Sequence, residues 1–287
     1  MRQKFSIIVT SFGDDASILI KDVLRSKVRK DFILDKIVLV KCGPDKFNFQ
    51  ADSRITVIEE KERRGKAAAI NKALSRIKSG LVVLCSADIV LRKNALAALL
   101  QPFENPGVGM SSSRPVSMDD TKTYCGFLNF LVWEMHHIIS EKRPKGGEMI
   151  AFRKVFDKIP ENIAADEAFI ESEIIKRGYR IQYAPFSMVM SSGPAHLSGF
   201  VMQRRRVFSG HLQVRKLNNY SVSTMDNLLL LKSLARCAAV RKFGLKQAAW
   251  SVSAILVEMF SRFLGLMDYK SNKVLFMWPK YRRGNSK

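Results

Sequence analysis

The fold class follows from residues 66–88, which read Lys66-Ala-Ala-Ala-Ile-Asn-Lys-Ala-Leu-Ser-Arg-Ile-Lys-Ser-Gly-Leu-Val-Val-Leu-Cys-Ser-Ala-Asp88. Apolar residues recur at helical spacing over Lys66–Lys78, and a glycine lies just past the last of them, so the pattern predicts a helix. The apolar run Leu81–Cys85 that follows predicts a buried strand. A helix that leads directly into such a strand is typical of the βαβ units that build parallel sheets.

The same alternation of short apolar runs and helical patterns begins at the N-terminus. It predicts a helix over Ala16–Ser26 and three strands, Ser6–Thr10, Lys36–Val40 and Ile55–Ile58. Because crossovers between parallel strands are right-handed, this order favours an α/β fold with an open, mostly parallel sheet flanked by helices. Ligands of such sheets bind beyond the carboxyl ends of the strands, so the residues after Val9 and Leu84 are the first candidates for a site.

The second half of the chain is less regular. The patterns predict a helix over Ala165–Arg177, a strand over Tyr179–Tyr183 that Pro185 stops, and two long apolar helices over Asn227–Ala239 and Gln247–Met267. The tail from Tyr269 to Lys287 is basic and aromatic. We therefore expect an α/β domain over residues 1–215 and a helical region over 216–287.

The composition indicates an anionic partner. The 287 residues include 48 Lys+Arg and 26 Asp+Glu, a formal net charge of +22, which suits nucleic acid, anionic lipid headgroups or phosphorylated substrates. The sequence lacks aromatic RNA-binding repeats, zinc-ligand spacing and a helix-turn-helix signature, so we expect no nucleic acid partner. Four scattered cysteines and an N-terminal apolar run too short for a signal peptide favour the cytosol.

The second apolar helix has the pattern of a membrane-surface helix. Ser251, Glu258 and Arg262 fall on one narrow polar stripe, and a wide apolar face lies opposite. Charged residues interrupt both apolar segments, so neither has the roughly 18 uncharged residues of a simple membrane span. A helix lying in the membrane interface fits this pattern, and the alternative is a helix that packs its broad face on the domain. The basic stretch Lys280-Tyr-Arg-Arg, close to Trp278, favours binding to an anionic membrane surface. We therefore expect the chain at the cytoplasmic face of the membrane.

Ser86-Ala-Asp88 is the first candidate for chemistry, because it directly follows a predicted strand. A carboxylate at a strand's carboxyl end is placed to hold Mg²⁺ or Mn²⁺, which takes its other ligands from water and substrate phosphates. Such an ion would neutralise charge on a departing diphosphate. The alternative is a helix cap or a turn residue.

Two basic stretches are candidates for binding phosphate. Arg63-Arg-Gly-Lys66 lies at a predicted helix N-terminus, where free backbone N–H groups also attract a diphosphate. Gln203-Arg-Arg-Arg-Val207 places three cations in a row, either as a clamp on a diphosphate or as a nucleic-acid patch. For both stretches the alternative is a solvated charged surface.

Asp166 and Glu167 open the helix predicted over Ala165–Arg177. Carboxylates in the first turn of a helix interact favourably with its dipole, which explains most such pairs. They are also candidates for a general base, because a sugar hydroxyl is a poor nucleophile until a positioned carboxylate takes its proton.

Five elements between Phe5 and His211 resemble, in their order, the family 2 glycosyltransferases, which are inverting enzymes of GT-A fold. The elements are Ser6-Ile-Ile-Val-Thr-Ser-Phe12, Arg64-Gly-Lys-Ala-Ala-Ala-Ile-Asn71, Ser86-Ala-Asp88, the pair Asp166-Glu167 eleven residues before Gly178-Tyr-Arg, and Gln203-Arg-Arg-Arg-Val207. They are similar to the donor-binding strand, the GKxxALN-type element, the DxD motif, the ED pair and the QxxRW motif of membrane-bound members.

The resemblance implies a role for each matching residue. A nucleotide-diphosphate sugar would contact Thr10, Ser11, Phe12, Arg64, Lys66, Ser86, Asp88, Gln203 and Arg206. Asp88 would hold the Mg²⁺ or Mn²⁺, Glu167 would be the base with Asp166 as its neighbour, and Gly147 would let the acceptor approach the backbone. We therefore expect sugar transfer to a lipid-linked or glycan acceptor. A scaffold that binds the donor without turnover is the alternative.

The sequence also departs from the family pattern at three places. Ser86 replaces the first Asp of the DxD motif, which removes one potential metal contact. Val207 replaces the Trp of QxxRW, which weakens the case for a processive polymerase. Lys41-Cys-Gly-Pro-Asp45 stands where an acidic turn that reads the nucleotide base is usual, so the nucleotide stays open.

Overall fold

The computed structural model describes residues 2–43, 52–273 and 275–277. Within these residues there are eight strands: β1 (Gln3–Phe12), β2 (Phe32–Cys42), β3 (Ile55–Glu60), β4 (Leu81–Ser86), β5 (Val90–Leu91), β6 (Val108–Ser117), β7 (Met149–Arg153) and β8 (Arg180–Ser191). Its α-helices are α1 (Ser17–Arg25), α2 (Lys66–Leu74), α3 (Ala95–Leu100), α4 (Tyr124–Ser140), α5 (Asp166–Lys176), α6 (Leu197–Asn218), α7 (Asn227–Arg241) and α8 (Leu245–Lys270).

All eight strands form one sheet in the order β3-β2-β1-β4-β7-β6-β8-β5. The pairs β1–β2, β2–β3 and β1–β4 are parallel, as is β6–β8. Strand β7 is antiparallel to both neighbours. The α/β fold with a mostly parallel sheet is therefore confirmed, and its first four strands lie where the sequence predicts them. Antiparallel β7 reverses the chain direction beside β4, which brings the residue before β7 to the carboxyl end of β4.

The core divides between the two faces of the sheet, because side chains of a strand alternate in direction. On one face Ile7 and Val9 of β1 pack with Leu19 of α1 and with α3. On the other face Ile8 packs with Ile70 of α2 and with α5. The nearly continuous apolar runs of β1 and β4 thus reflect burial on both sides, as expected for central parallel strands.

Helix α2 is shorter than the sequence pattern predicts, since it ends at Leu74 and not at Lys78. The amides of Arg76 and Ile77 bond three residues back, to Ala73 and Leu74, which tightens the last turn into 3₁₀ geometry. Ile77 is nevertheless buried, so its apolar character reflects packing beyond the helix end.

The prediction that Pro185 stops its strand is wrong, because β8 continues to Ser191. The pairing of β6 with β8 runs from Ser112–Tyr183 directly to Arg114–Met188, so residues 184–187 bulge out of the ladder. A proline has no N–H to donate and is tolerated at such a bulge.

Helix α8 lies along α6, and its polar stripe faces the domain. Ser251 and Ser261 are buried, and Glu258 bonds to Arg204 of α6. The opposite face is exposed, with Val252, Leu256, Met259, Phe260, Phe263 and Met267 between 48% and 63% exposed. The structure therefore excludes the alternative in which the broad apolar face packs on the domain.

By length and mean hydropathy, α8 also qualifies as a helix long and apolar enough to cross a membrane. Its most apolar window holds no more than two charged residues. Glu258 and Arg262 still interrupt the helix, so it does not have the roughly 18 consecutive uncharged residues of a simple span. Trp278 and Lys280-Tyr-Arg-Arg lie outside the described residues.

Candidate active site

The carboxyl ends of β1 and β4 form the floor of a large cleft, as expected for such a sheet. Thr10 pairs with Ser86 in the parallel ladder, and the Ala87 amide donates to the Thr10 carbonyl over 2.9 Å. The cleft has a volume of about 870 Å³. Of the predicted donor-site residues, Thr10, Ser11, Phe12, Lys66, Ser86, Asp88, Gln203 and Arg206 all line it.

Glu148 enters the same cleft and was not singled out by the sequence. Because Cys85 of β4 pairs with Met149 of antiparallel β7, the residue before Met149 comes to the end of β4. Glu148 lines the cleft together with Asp88. Burial raises the pKa of Glu148 to about 7, against the opposing charge of Lys66. Two carboxyl groups thus lie at this end of the sheet, and burial raises the pKa of one of them.

Lys66 joins the predicted carboxylate pair in a buried ion cluster. Its Nζ lies 2.9 Å from Asp166 and bonds to Glu167. Lys66 stands at the first position of α2, after Gly65 with a φ of 96° that favours glycine. Asp166 and Glu167 stand in the first turn of α5. The N-termini of two helices therefore meet, with one cation between two carboxylates.

The two carboxylates titrate differently. Burial and the Glu167 charge raise the pKa of Asp166 to about 6, against the opposing charge of Lys66. Burial acts in the same direction on Glu167, but the Lys66 charge and hydrogen bond outweigh it, so the pKa of Glu167 is lowered. Glu167 is therefore ionised at neutral pH, as a proton acceptor must be.

The loop before β7 is fixed from two sides. The amide of Gly146 donates to Glu171 Oε2 over 2.8 Å, and the Gly146 carbonyl lies 2.9 Å from His136 Nε2. Tyr220 bonds to the other oxygen of Glu171. This network positions Glu148 relative to Glu167, since Glu171 and Glu167 lie one turn apart on α5.

Gly147, predicted to admit the acceptor, lines the cleft. A Cβ at this position would lie 3.2 Å from both the Ser113 carbonyl and the Pro115 ring. The absent side chain therefore lets the loop pack closely on β6. Its role toward an acceptor stays a prediction.

The arginine run on α6 serves two different purposes. Arg206 is 8% exposed and lines the cleft with Gln203. Arg204 donates to Glu258, and Arg205 bonds to Asp268, both on α8. Helical geometry separates the three consecutive cations: Arg204 and Arg205 hold the C-terminal helix, while Arg204 and Arg206 line the cleft. The sequence analysis, which did not predict α6 as a helix, treated them as one patch.

Arg64 is the predicted donor residue that the structure does not bring to the cleft. Its guanidinium bonds to Glu161 over 2.9 Å at the surface. Arg63 lines the cleft in its place, with its guanidinium 3.8 Å from the centre of the Phe12 ring. A cation stacked on an aromatic ring at this position is a preorganised contact for a phosphate or a base.

The residues present fit a weakly coordinated divalent ion and not a closed metal cage. Within residues 2–43, 52–273 and 275–277, no three His, Cys, Asp or Glu side chains gather closely enough to hold a metal. Asp88 is half-buried and lines the cleft. One hard carboxylate in an accessible cleft suits Mg²⁺ or Mn²⁺, which complete their coordination with water and phosphate oxygens.

We predict that acid loosens α8 from the domain. Burial alone would raise the pKa of Glu258, but Arg204 and Arg262 lower it from 4.5 to about 2. A carboxylate whose pKa is lowered by folding stabilises the folded state fully at pH values above its unfolded pKa of 4.5. This stabilisation is lost as the pH falls from 4.5 toward 2. Hydrogen exchange should therefore show faster opening of α8 at about pH 3 than at neutral pH, after correction for intrinsic rates.

Glu258→Gln should produce the same faster exchange at neutral pH. Glu59→Gln is the matched control, because the Glu59 side chain is 73% exposed and forms an ion pair with Lys41. Protection of α8 that is independent of both pH and Glu258 would contradict this account.

The comparisons with known proteins agree with this geometry. The family model described as "Glycosyltransferase like family 2" matches residues 2–210. The chain belongs to this glycosyltransferase family. The resemblance inferred from the sequence is thus confirmed at the level of the family, and so is the prediction that the chain is an enzyme of this class.

Among curated proteins, the poly-beta-1,6-N-acetyl-D-glucosamine synthase of Staphylococcus aureus (strain COL) is 20% identical over 213 residues. The match covers 68% of this chain and 52% of that protein. The glycosyltransferase chain therefore spans about half the length of the curated relatives it matches.

Two solved structures show the same fold. The mannosyltransferase PcManGT from Pyrobaculum calidifontis, in complex with GDP-Man and Mn²⁺, has a TM-score of 0.59 at 19% identity, covering 95% of this chain and 88% of that one. Glucosyl-3-phosphoglycerate synthase from Mycobacterium tuberculosis, with Mn²⁺, UDP-Glc and phosphoglyceric acid, has a TM-score of 0.51 at 14% identity, covering 74% and 79%. These likenesses confirm the expected GT-A fold.

Proposed function

We propose that this glycosyltransferase transfers a sugar, with inversion, from a nucleotide-diphosphate sugar to an acceptor that is lipid-linked or a glycan, at the cytoplasmic face of a membrane. One observation carries the proposal. Asp88, Arg206, Lys66 and Glu167, which are far apart in the sequence, line a single cleft at the carboxyl ends of the strands, and Asp166 pairs with Lys66.

The chain's own residues suit each part of a direct displacement. The acceptor oxygen attacks the anomeric carbon, the bond from that carbon to the diphosphate breaks, and the nucleoside diphosphate leaves. Glu167 takes the acceptor proton, and Lys66 holds Glu167 in its ionised form. Arg206 and Arg63 offer charge to the diphosphate. A divalent ion held by Asp88 would supply further positive charge to the leaving group.

A screen of nucleotide sugars tests the donor assignment. Ligands that bind only the folded state raise its melting temperature, so the matching donor should raise Tm in the presence of Mn²⁺ and much less in EDTA. The hit is then incubated with candidate acceptors, and release of nucleoside diphosphate is measured. A Tm shift without any transfer or hydrolysis would favour the scaffold alternative. No Tm shift with any nucleotide sugar would contradict the proposal.

The exposed face of α8 supports the membrane part of the proposal. A contiguous apolar surface on a soluble domain typically marks a site of interaction. The inward polar stripe and outward apolar face give α8 the amphipathic pattern of a helix that lies in an interface. Because the sequence carries a net charge of +22, anionic headgroups would add about 1 kcal/mol for each Lys or Arg near the surface.

We predict that the double substitution Phe260→Ser and Phe263→Ser weakens binding to liposomes that contain phosphatidylglycerol. Both rings are more than half exposed on α8. Losing their insertion should cost about 2 kcal/mol, or roughly thirtyfold in the partition coefficient measured by sedimentation. Phe186→Ser is the matched control, since Phe186 is 79% exposed on β8. Equal binding of all three proteins would argue against α8 as the membrane surface.

A further inference from the structure

The cleft does not end at the catalytic carboxylates. It continues into an extension between α4, α7 and α8, which we call the apolar annex. Its walls are aliphatic side chains and a thioether: Leu131, Met135, Leu230, Leu234, Ala254 and Ile255. Together with the polar floor of the cleft, the annex forms one continuous cavity. A nucleotide-diphosphate sugar has no aliphatic chain that would fill a space with these walls.

The outer rim of the annex belongs to the exposed apolar surface. Leu231 of α7 and Met259 of α8 both line the cavity, and they are 52% and 63% exposed. Met259 is also part of the apolar face that we propose to lie on the membrane. A hydrocarbon chain that leaves a bilayer at this face would therefore meet apolar contacts from the surface to the interior.

The inner end of the annex meets charged groups. Arg204, Arg262 and Glu258 line the same cavity as the apolar walls and the catalytic cluster. These three side chains bond to one another, with Glu258 accepting from both arginines over 2.7 to 2.8 Å. Lys145 and Arg206 also line it, and Lys145 lies close enough to both Arg204 and Glu167 for their charges to act on its pKa. The chemistry of the cavity thus changes from apolar to charged along its length, as the chemistry of an amphiphile does.

We infer that the apolar annex binds the hydrocarbon chain of a lipid acceptor, whose polar end reaches Glu167. This inference rests on the proposed transfer reaction and selects the lipid over the glycan. A soluble glycan in the annex would bury hydroxyl groups against aliphatic walls without hydrogen-bond partners, which costs free energy. A hydrocarbon chain gains about 0.8 kcal/mol for each buried methylene group.

Photolabelling of the full chain tests the inference without needing the sugar donor. The probes are hexadecyl phosphate and hexadecanol, each with a diazirine in the alkyl chain, and mass spectrometry locates the labelled peptides. We expect labelling of the α4, α7 and α8 residues that line the annex, and competition by unlabelled alkyl phosphate. The phosphate and alcohol arms distinguish a phosphate from a hydroxyl as the polar end. Labels confined to the outward residues Phe260 and Phe263 would overturn the inference.

Ala254→Trp fills the annex and should reduce its labelling about tenfold. Val252→Trp is the matched control on the same helix, since Val252 is 61% exposed and does not line the cavity. A second pair of variants avoids overpacking the annex. Leu231→Gln should weaken the labelling, whereas Leu228→Gln should not, although Leu228 is also exposed on α7. Both substitutions remove one leucine from the exposed face, so a loss shared by both variants would reflect membrane binding alone and overturn the annex site.

Two further outcomes separate this inference from the proposed function. Annex labelling without sugar transfer to any acceptor would support the lipid site and contradict the transferase reaction. Transfer to a soluble glycan by Ala254→Trp at the wild-type rate would support the reaction and overturn the lipid as acceptor. Labelling that disappears as protein concentration rises would show that a second copy of the chain covers the annex, which would also overturn the inference.

Discussion

Asp88→Asn is expected to abolish sugar transfer while leaving the fold intact. The amide keeps the size of the side chain at the end of β4 but removes the charge that would bind a divalent ion. Loss of several kcal/mol of stabilisation of the leaving diphosphate corresponds to a fall of roughly a thousandfold or more in kcat. The measurement is the initial rate of nucleoside diphosphate release with the donor found by the Tm screen, in a series of Mn²⁺ concentrations.

The fold is checked by the far-ultraviolet circular dichroism spectrum and by Tm without ligand, both of which should match the wild type. Asp31→Asn is the control for charge, because Asp31 is exposed and pairs at the surface with Arg29. It should leave the rate unchanged. Full transfer by Asp88→Asn in EDTA would rule out a metal role for this residue.

The parallel half of the fold could be predicted from the sequence because buried strands leave uninterrupted apolar runs. Residues 81–85 and 6–10 show this pattern, and the structure places both in the centre of the sheet. Strand β7 and helix α6 were not predicted. The direction of β7 in the sheet depends on its pairing with β4. Which face of α6 packs against α8 depends on carboxylates that lie 54 and 63 residues further along the chain. No local pattern contains that information.

The candidate site divides in the same way. Lys66 and Glu167 could be found because each lies at a helix start with a recognisable motif, and the structure joins them across 101 residues. Glu148 was not singled out, and Arg63 was included only in the phosphate-binding stretch Arg63–Lys66 and not in the donor site. Glu148 lines the cleft because the next residue, Met149, pairs with Cys85 at the end of β4. In the segment before α2, Arg63 lines the cleft and its neighbour Arg64 does not. A Gly-Gly-Glu sequence before an apolar run was the available signal for Glu148.

The orientation of α8 shows why composition alone did not decide its role. The sequence predicts an amphipathic helix but not which face meets the domain. The ion pairs of Arg204 with Glu258 and of Arg205 with Asp268 turn the polar stripe inward. Most of the apolar side chains then point away from the protein core, which reverses the usual arrangement of a surface helix. The arginines of α6 thereby create both the exposed face and the rim of the apolar annex.

Glu167→Gln is expected to retain donor binding and to lose transfer. Glutamine keeps the shape of the side chain and a hydrogen-bonding oxygen near Lys66, and Asp166 still pairs with that lysine. Removal of a positioned general base lowers kcat by about a hundredfold to ten-thousandfold. The donor should therefore raise the Tm of the variant as much as it raises the Tm of the wild type. The rate of sugar transfer in a single turnover should fall. An unchanged rate of transfer would assign the base to another residue.

The pH profile of the wild type distinguishes Glu167 from Asp166 as the base. A base acts in its ionised form, so kcat/KM is lost as the pH falls through its pKa. Lys66 lowers the pKa of Glu167 from the model-peptide value of 4.5, whereas burial raises that of Asp166 to about 6. If Glu167 is the base, transfer should persist at pH 5. If Asp166 is the base, the acidic limb of the profile should lie at about pH 6.

The substitution Asp166→Asn separates the two groups, which share Lys66. With Glu167 as the base, this variant should keep the acidic limb of the profile below pH 5 and reduce the rate far less than Glu167→Gln does. A limb at pH 6 that Asp166→Asn removes would reverse the assignment.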